Sequence, residues 1–116
     1  MGNSEKILPL TPAVLHILLA LADGEKHGYA IMQEVEEFSQ GQVKMGPGTL
    51  YGSIKRMLQS RLIVESGERP DPELEDERRR YYGLTDFGQR VLTAELARLE
   101  MLLTVSRRKL SFGGER

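Results

Sequence analysis

The chain has 116 residues, of which 40% are hydrophobic and 28% charged, the size and composition of one small globular domain. It contains no cysteine, which excludes disulfide frameworks and thiolate metal sites and fits a reducing cytoplasm as the expected location. The longest apolar run, Ala13–Ala22, is too short to cross a bilayer, and the N-terminus lacks the pattern of a secretory signal, so no membrane partner is expected.

Three helices are predicted in the first half of the chain. Thr11 and Pro12 form a helix start, with a capping hydroxyl followed by proline at the first helical position. This helix is apolar nearly all round, which predicts that it is mostly buried, and Asp23-Gly24 ends it. Amphipathic spacing predicts a second helix over about His27–Ser39 and a third over about Gly48–Ser60.

The pattern changes from helical to strand-like after the third helix. Leu62–Glu65 predicts a short strand that ends at Ser66-Gly67, and Arg79–Leu84 predicts a return strand. Three helices followed by such a hairpin is the order of a winged helix-turn-helix. We therefore predict a mainly α fold with a small β-hairpin (α+β), with a DNA-binding domain over residues 1–84.

A long helix is predicted from the cap Thr85 to about Leu110, followed by a frayed tail, so that residues 85–116 form a C-terminal dimerisation element. Leucines recur along this helix at spacings of four, three, four and seven, as in the seam of a coiled coil. We call them the leucine seam: Leu92, Leu96, Leu99, Leu103 and Leu110. A domain of this size cannot bury so long a helix, which predicts a homodimer. The alternative is a helix folded back on its own domain.

Charge is segregated along the chain, although the formal net charge is only -1. Residues 44–61 contain four basic residues and no acid, whereas residues 65–77 contain seven acids and one arginine. In a winged helix the third helix enters the major groove, so its polar side chains are the candidate DNA contacts. These are Thr49, Ser53, Lys55, Arg56 and Gln59. The alternative is a solvated amphipathic surface.

Three consecutive arginines begin the return strand. Because side chains alternate along a strand, we predict that Arg78 and Arg80 face the DNA and that Arg79 lies on the other face. The alternative is that some of them pair with the acidic run Glu73–Glu77. Since that run repels phosphate, the base of the hairpin and not its tip is expected to carry the contact.

Three segments resemble the PadR family of bacterial transcriptional regulators. They are His27-Gly28-Tyr29, residues 46–52 (GPGTLYG) and residues 79–88 (RRYYGLTDFG). The resemblance implies a winged helix that dimerises through its C-terminal helix, usually acts as a repressor and commonly responds to a small molecule. It implies DNA contacts at Thr49, Tyr51 and Lys55, supported by the arginines of the wing. The chain departs from the family pattern at Gly46 and Gly52, where serine and proline are frequent.

Enzyme and metal functions are not supported by the sequence. The chain has two histidines, which we interpret as structural (His16) and as capping or surface (His27), and it has no nucleophile elbow or phosphate-binding glycine loop. The acids Asp71–Glu77 lack the spacing and central glycine of a calcium loop, so neither metal nor cofactor is expected. The rival function is a dimeric winged-helix module that binds protein and not DNA, which salt-dependent DNA binding would distinguish.

Overall fold

The computed structural model describes residues 7–70 and 78–114. The predicted order of three helices, a β-hairpin and a long helix is confirmed. The elements are α1 (Pro12–Ala20), β1 (Lys26–His27), α2 (Gly28–Phe38), α3 (Pro47–Gln59), β2 (Ile63–Pro70), β3 (Arg78–Leu84) and α4 (Asp86–Gly114). Helix α4 continues past the predicted end at Leu110 and runs to Gly114.

The sheet has three antiparallel strands in the order β1-β3-β2, and not the two that the sequence predicts. The additional strand β1 is two residues long and pairs His27 with Tyr81. So short a strand carries no detectable alternation in the sequence. Strand β2 also runs through Ser66-Gly67 instead of ending there. The register shifts between Glu65 and Gly67, so Ser66 is the extra residue of a bulge, while Gly67, at a φ of 122°, pairs with Tyr81.

Side-chain caps begin the helices where the sequence predicts them. The Thr11 hydroxyl accepts a hydrogen bond from the Val14 N–H at 3.2 Å at the start of α1. At the start of α2 the ring Nδ1 of His27 accepts from the Ala30 N–H at 3.1 Å, which confirms its capping role. Each cap satisfies an N–H group that has no partner inside the helix.

One hydrophobic core joins α1, α2 and α3 to the sheet and to the first turns of α4. Ile17, Ile31, Leu50 and Val91 are completely buried in it. His16 is half-buried. Its Nδ1 lies 2.7 Å from the Pro12 carbonyl oxygen, and its ring stacks on Phe38. These contacts agree with the predicted structural role of His16. The core fixes the orientation of α3 relative to the sheet.

Lys26 attaches β1 to the helices. Its ammonium donates to the Ala20 carbonyl oxygen at 2.8 Å and to Asp23 at 2.5 Å, and lies 3.3 Å from Glu34. Burial by itself lowers the pKa of Lys26, but the interactions with the carboxylates of Asp23 and Glu34 outweigh it and raise the pKa. These contacts join β1 to the end of α1 and to the middle of α2.

The start of α4 packs directly on the chain that joins α3 to β2. The Thr85 hydroxyl donates to the Arg61 carbonyl oxygen at 2.6 Å and accepts from the Gly88 N–H at 2.9 Å, which confirms Thr85 as the cap. A Cβ at Gly88 would overlap the carbonyl oxygen of Leu62. The close approach of these two segments therefore requires glycine at this position.

Candidate nucleic-acid interface

Helix α3 has one buried and one exposed face. Its buried residues are Leu50, Ser53, Ile54 and Met57, which recur at helical spacing. We call the opposite side the α3 outer face, and its exposed residues are Gly48, Thr49, Tyr51, Lys55, Arg56 and Gln59. Thus Thr49, Tyr51, Lys55 and Arg56 are placed where a partner can reach them, as the sequence predicts.

The prediction that Ser53 contacts DNA is wrong. Its side chain is 0% exposed, so it is not available to a nucleic acid. It follows Leu50 by three residues and precedes Met57 by four, which puts all three on the core side of the helix. Its hydroxyl lies 3.4 Å from the Arg56 guanidinium, a long hydrogen bond at the boundary between the two faces.

Glycines leave the backbone of the first two turns of α3 uncovered. A Cβ at Gly46 or Gly48 would meet no atom within 4 Å, and one at Gly52 would meet only the Arg56 guanidinium, at 3.7 Å. The two departures from the family pattern are therefore not required by packing inside the chain. They let another molecule approach the helix backbone closely.

Tyr51 connects α3 to the first turn of α2. Its side chain is 47% exposed, and its hydroxyl end packs on Gly28, where a Cβ would overlap it. The ring therefore covers the start of α2 while its other side remains accessible. This explains why a glycine precedes Tyr29 at a buried position of that helix.

The arginines of the hairpin differ in their surroundings. Arg80 is 62% exposed and lies 3.4 Å from Glu68 and 3.8 Å from Glu65, both on β2. It therefore pairs with acids of the adjacent strand. The alternative partners Glu73–Glu77 lie outside the described residues, and so does the side chain of Arg78.

Arg79 lies on the opposite face of the hairpin, as predicted, and contacts α2. Its guanidinium carbon is 5.3 Å from the ring centre of Tyr29, which is 48% exposed. Tyr29 is not among the DNA contacts that the sequence predicts. Its place in the His27-Gly28-Tyr29 motif was the available signal.

Glu25 stabilises the same face of the hairpin. Its carboxylate accepts from the Ser66 hydroxyl at 3.0 Å and pairs with Arg69. The hydrogen bond from Ser66 contributes most, and that from Arg69 adds to it, in holding the pKa of Glu25 below its ordinary value. Arg69 in turn lies over the ring of Tyr81, 4.2 Å from its centre, so an acidic, a basic and an aromatic side chain are in contact on this face of the hairpin.

The leucine seam divides between the core and the surface. Leu92 is only 5% exposed and belongs to the core of its own chain, which corrects its assignment to a seam that contacts a partner. Leu99 is half-buried. Leu96, Leu103 and Leu110 are 41%, 49% and 71% exposed, so the C-terminal part of α4 carries unburied leucines. Whether they meet a second copy remains a prediction.

An open groove of about 690 Å³ runs between α4 and the segment that precedes α1. Leu8, Pro9, Ala97, Met101 and Leu102 line it.

Among residues 7–70 and 78–114, no cluster of histidine and acidic side chains is placed to hold a metal, whereas the acids 71–77 lie outside that part. Of the helices described, none has the length and apolar character needed to cross a membrane.

Comparison with known proteins identifies a family. A sequence model described as the transcriptional regulator PadR-like family matches residues 17–94. The chain is 35% identical over 88 residues to the transcriptional regulator Rv3488 of Mycobacterium tuberculosis, covering 76% of each chain. It is 38% identical over 83 residues to an uncharacterised 37.1 kDa protein in a transposon of Streptomyces fradiae. That match covers 72% of this chain but only 21% of the Streptomyces protein.

Solved structures share the fold. A PadR family transcription regulator from Clostridium difficile has a TM-score of 0.72 at 26% identity, covering 86% of this chain and 99% of that one. Bacillus subtilis PadR, solved in complex with operator DNA, has a TM-score of 0.63 at 23% identity, covering 72% of this chain and 45% of that one. The winged-helix prediction is thereby confirmed.

Proposed function

The chain belongs to the PadR-like family of transcriptional regulators, and on that premise we propose that it binds a specific DNA operator as a homodimer. The family match confirms the resemblance found in the sequence and the assignment to regulators and not to enzymes. In this proposal the α3 outer face enters the major groove. The wing, formed by β2 and β3, contacts the adjacent backbone.

The observation that carries this proposal is the composition of the α3 outer face. It presents the Thr49 hydroxyl, the accessible side of the Tyr51 ring and positive charges at Lys55 and Arg56, and there is no acid between residues 44 and 61. Hydroxyl, lysine and arginine side chains are those that contact phosphates and read base edges. The uncovered backbone at Gly48 and Gly52 permits a close approach to the groove.

The exposed leucines of α4 support the homodimer. Leu96, Leu103 and Leu110 follow one another at intervals of seven residues, about two turns, on a helix of 29 residues, and a second copy of the same helix would cover them. A two-fold dimer places two recognition helices about 34 Å apart, one turn of DNA, which predicts a roughly palindromic operator.

The DNA-binding proposal is tested with Lys55→Ala combined with Arg56→Ala. We expect the double variant to lose binding to a duplex that the wild-type protein enriches from a random DNA pool. The matched control is Arg107→Ala with Arg108→Ala, which removes the same charge from exposed residues of α4. If the two variants bind equally well in a gel-shift assay, the assignment of α3 is wrong.

The rival function is a winged-helix module that binds protein. The two functions differ in their dependence on salt, because each phosphate contact lowers the slope of log affinity against log salt by about 0.9. Enrichment of a palindrome with a steep salt dependence supports the DNA-binding function. If no sequence is enriched from the random pool and the affinity for duplex DNA does not depend on salt, the protein-binding function is supported.

Repression and control by a small molecule belong to the proposal as well. The groove along α4, with Leu8, Met101 and Leu102 in its lining, supplies an apolar surface beside the expected dimer interface. We propose that a small apolar effector bound there relieves repression. A panel of aromatic compounds that never changes the melting temperature would count against an effector at this place.

A further inference from the structure

Neighbouring elements set the two edges of the α3 outer face. On one edge the hydroxyl end of Tyr51 packs on Gly28, at the start of α2. On the other edge Arg56 and Ser60 line an open groove together with Pro9, in the segment that precedes α1. A molecule that approaches α3 from outside therefore meets first the part of the helix that lies between these two edges.

Four residues lie between the edges, at intervals of four, three and four along the chain. We call them the α3 midline: Gly48, Gly52, Lys55 and Gln59. This spacing keeps them on one side of the helix, opposite the residues that enter the core. Because glycine has no side chain, the side chains on the midline are those of Lys55 and Gln59, both of which are exposed.

The polar groups of these two side chains are available to a partner. Within residues 7–70 and 78–114, neither the Lys55 ammonium nor the Gln59 amide takes part in a hydrogen bond or an ion pair. At the edge, by contrast, the Arg56 guanidinium lies 3.4 Å from the Ser53 hydroxyl. The Ser60 hydroxyl donates to the Arg56 carbonyl oxygen at 3.1 Å. The unused hydrogen-bonding capacity of this half of α3 is therefore on its midline.

We propose that Lys55 and Gln59 read bases in the major groove, and that Arg56 contacts a phosphate at the edge of the groove. The inference rests on the proposed DNA-binding function and deepens it by naming the class of DNA sequence. A lysine ammonium donates to the O6 and N7 acceptors of guanine, and a glutamine amide forms two hydrogen bonds with N6 and N7 of adenine. The preferred half-site therefore contains one G·C and one A·T pair.

The separation of the two side chains sets the distance between these base pairs. Lys55 and Gln59 are one turn apart, which is about 6 Å along the helix axis. Base pairs are stacked at about 3.4 Å, so a helix that follows the groove reads two pairs about two steps apart. The space outside Gly48 is open, since a Cβ there would meet no atom within 4 Å. The first turns of α3 therefore do not hold the midline away from the bases.

Gln59→Ala and Ser60→Ala are a matched pair of neutral substitutions at adjacent exposed positions. Each variant selects duplexes from a random DNA pool in parallel with the wild-type protein. We expect Gln59→Ala to keep the preference for the G·C pair and to lose that for the A·T pair. Its affinity for the wild-type duplex should fall about tenfold, with an unchanged dependence on salt because an amide carries no charge. Ser60→Ala should select the wild-type sequence.

Lys55→Ala and Arg56→Ala remove the same charge from adjacent positions. We expect Lys55→Ala to lose the preference for the G·C pair. Arg56→Ala should keep every base preference and weaken binding to all duplexes alike, and the slope of log affinity against log salt should fall in magnitude by about 0.9. Both residues are exposed, so the variants should keep the wild-type melting temperature, which thermal unfolding checks.

Two results would overturn the assignment while leaving the proposed function intact. One is selection of the unchanged wild-type sequence by both Gln59→Ala and Lys55→Ala, while Lys55→Ala combined with Arg56→Ala still abolishes binding. The other is loss of preference at a single base pair in Arg56→Ala, which would make Arg56 a base-reading residue. A wild-type protein that enriches no sequence from the pool refutes the proposed function, and this inference with it.

Discussion

The carboxylate of Glu95, in the middle of α4, accepts a hydrogen bond from the backbone N–H of Leu10 at 3.0 Å. The residue is 1% exposed, and its second partner is Arg98, whose guanidinium donates at 2.7 and 3.1 Å. The segment that precedes α1 is thereby fixed to the long helix. The same segment lines the groove along α4, so Glu95 links the domain core to the surface proposed to bind the effector.

Glu95→Gln is expected to destabilise the fold and to reduce its sensitivity to acid. The hydrogen bonds from Arg98, supported by that from Leu10, hold the pKa of Glu95 below its ordinary value despite burial. A lowered pKa contributes stability above the unfolded value, about 4.3, and this contribution is lost as the pH falls through the folded value. At neutral pH we expect a loss of about 1–3 kcal/mol in the free energy of unfolding.

Denaturant unfolding of this variant at several pH values measures both effects. Glu100→Gln is the control, since Glu100 is exposed on the same helix, and its change should stay within about 0.5 kcal/mol. Equal loss of stability in wild type and Glu95→Gln below about pH 4.3 would show that the carboxylate does not carry the acid dependence.

Gly88→Ala is expected to lower the free energy of unfolding by about 1–3 kcal/mol or more. The added Cβ would overlap the carbonyl oxygen of Leu62, and neither backbone segment can move without breaking the Thr85 cap. Thermal unfolding measures the loss. Gly83→Ala is the control because its Cβ would meet the Glu25 Cβ at an ordinary 3.8 Å; equal melting temperatures for the two variants would contradict the close approach.

Gly52→Ala is expected to stabilise the fold and to weaken DNA binding. Alanine is favoured over glycine inside a helix by about 1 kcal/mol, and the space around Gly52 is open apart from Arg56 at 3.7 Å. The methyl group should nevertheless hold the helix backbone away from the groove. Thermal unfolding measures the stability, and gel shifts with the enriched duplex measure the affinity. A Gly52→Ala variant that binds as tightly as wild type would show that DNA does not approach the α3 backbone at Gly52.

Leu103→Glu and Leu92→Ala are expected to separate dimerisation from folding. Leu103 is 49% exposed, so a charge there should yield a folded monomer by light scattering. Leu92 is in the core, so truncation should cost about 2–5 kcal/mol without a direct effect on association. The wild-type melting temperature should rise with protein concentration and that of Leu103→Glu should not. A Leu103→Glu variant with the mass of a dimer would refute the proposed seam.

The sequence by itself determined the helix starts, the α3 outer face and the family. Caps such as Thr11, His27 and Thr85 act within one turn, so the information that positions them is local. Ser53 was also within reach of the sequence, since its spacing from Leu50 and Met57 places it on the core side. Charge segregation between residues 44–61 and 65–77 is likewise a property of the sequence.

The tertiary structure alone decided which of these residues are available and what they meet. Strand β1 is formed by pairing with β3, which is far away in the sequence. The different surroundings of Arg79 and Arg80 depend on Tyr29 and on the glutamates of β2, and the burial of Leu92 and Glu95 depends on how α4 crosses the domain. Long-range contacts set burial and charge pairing, and no periodicity within one segment encodes them.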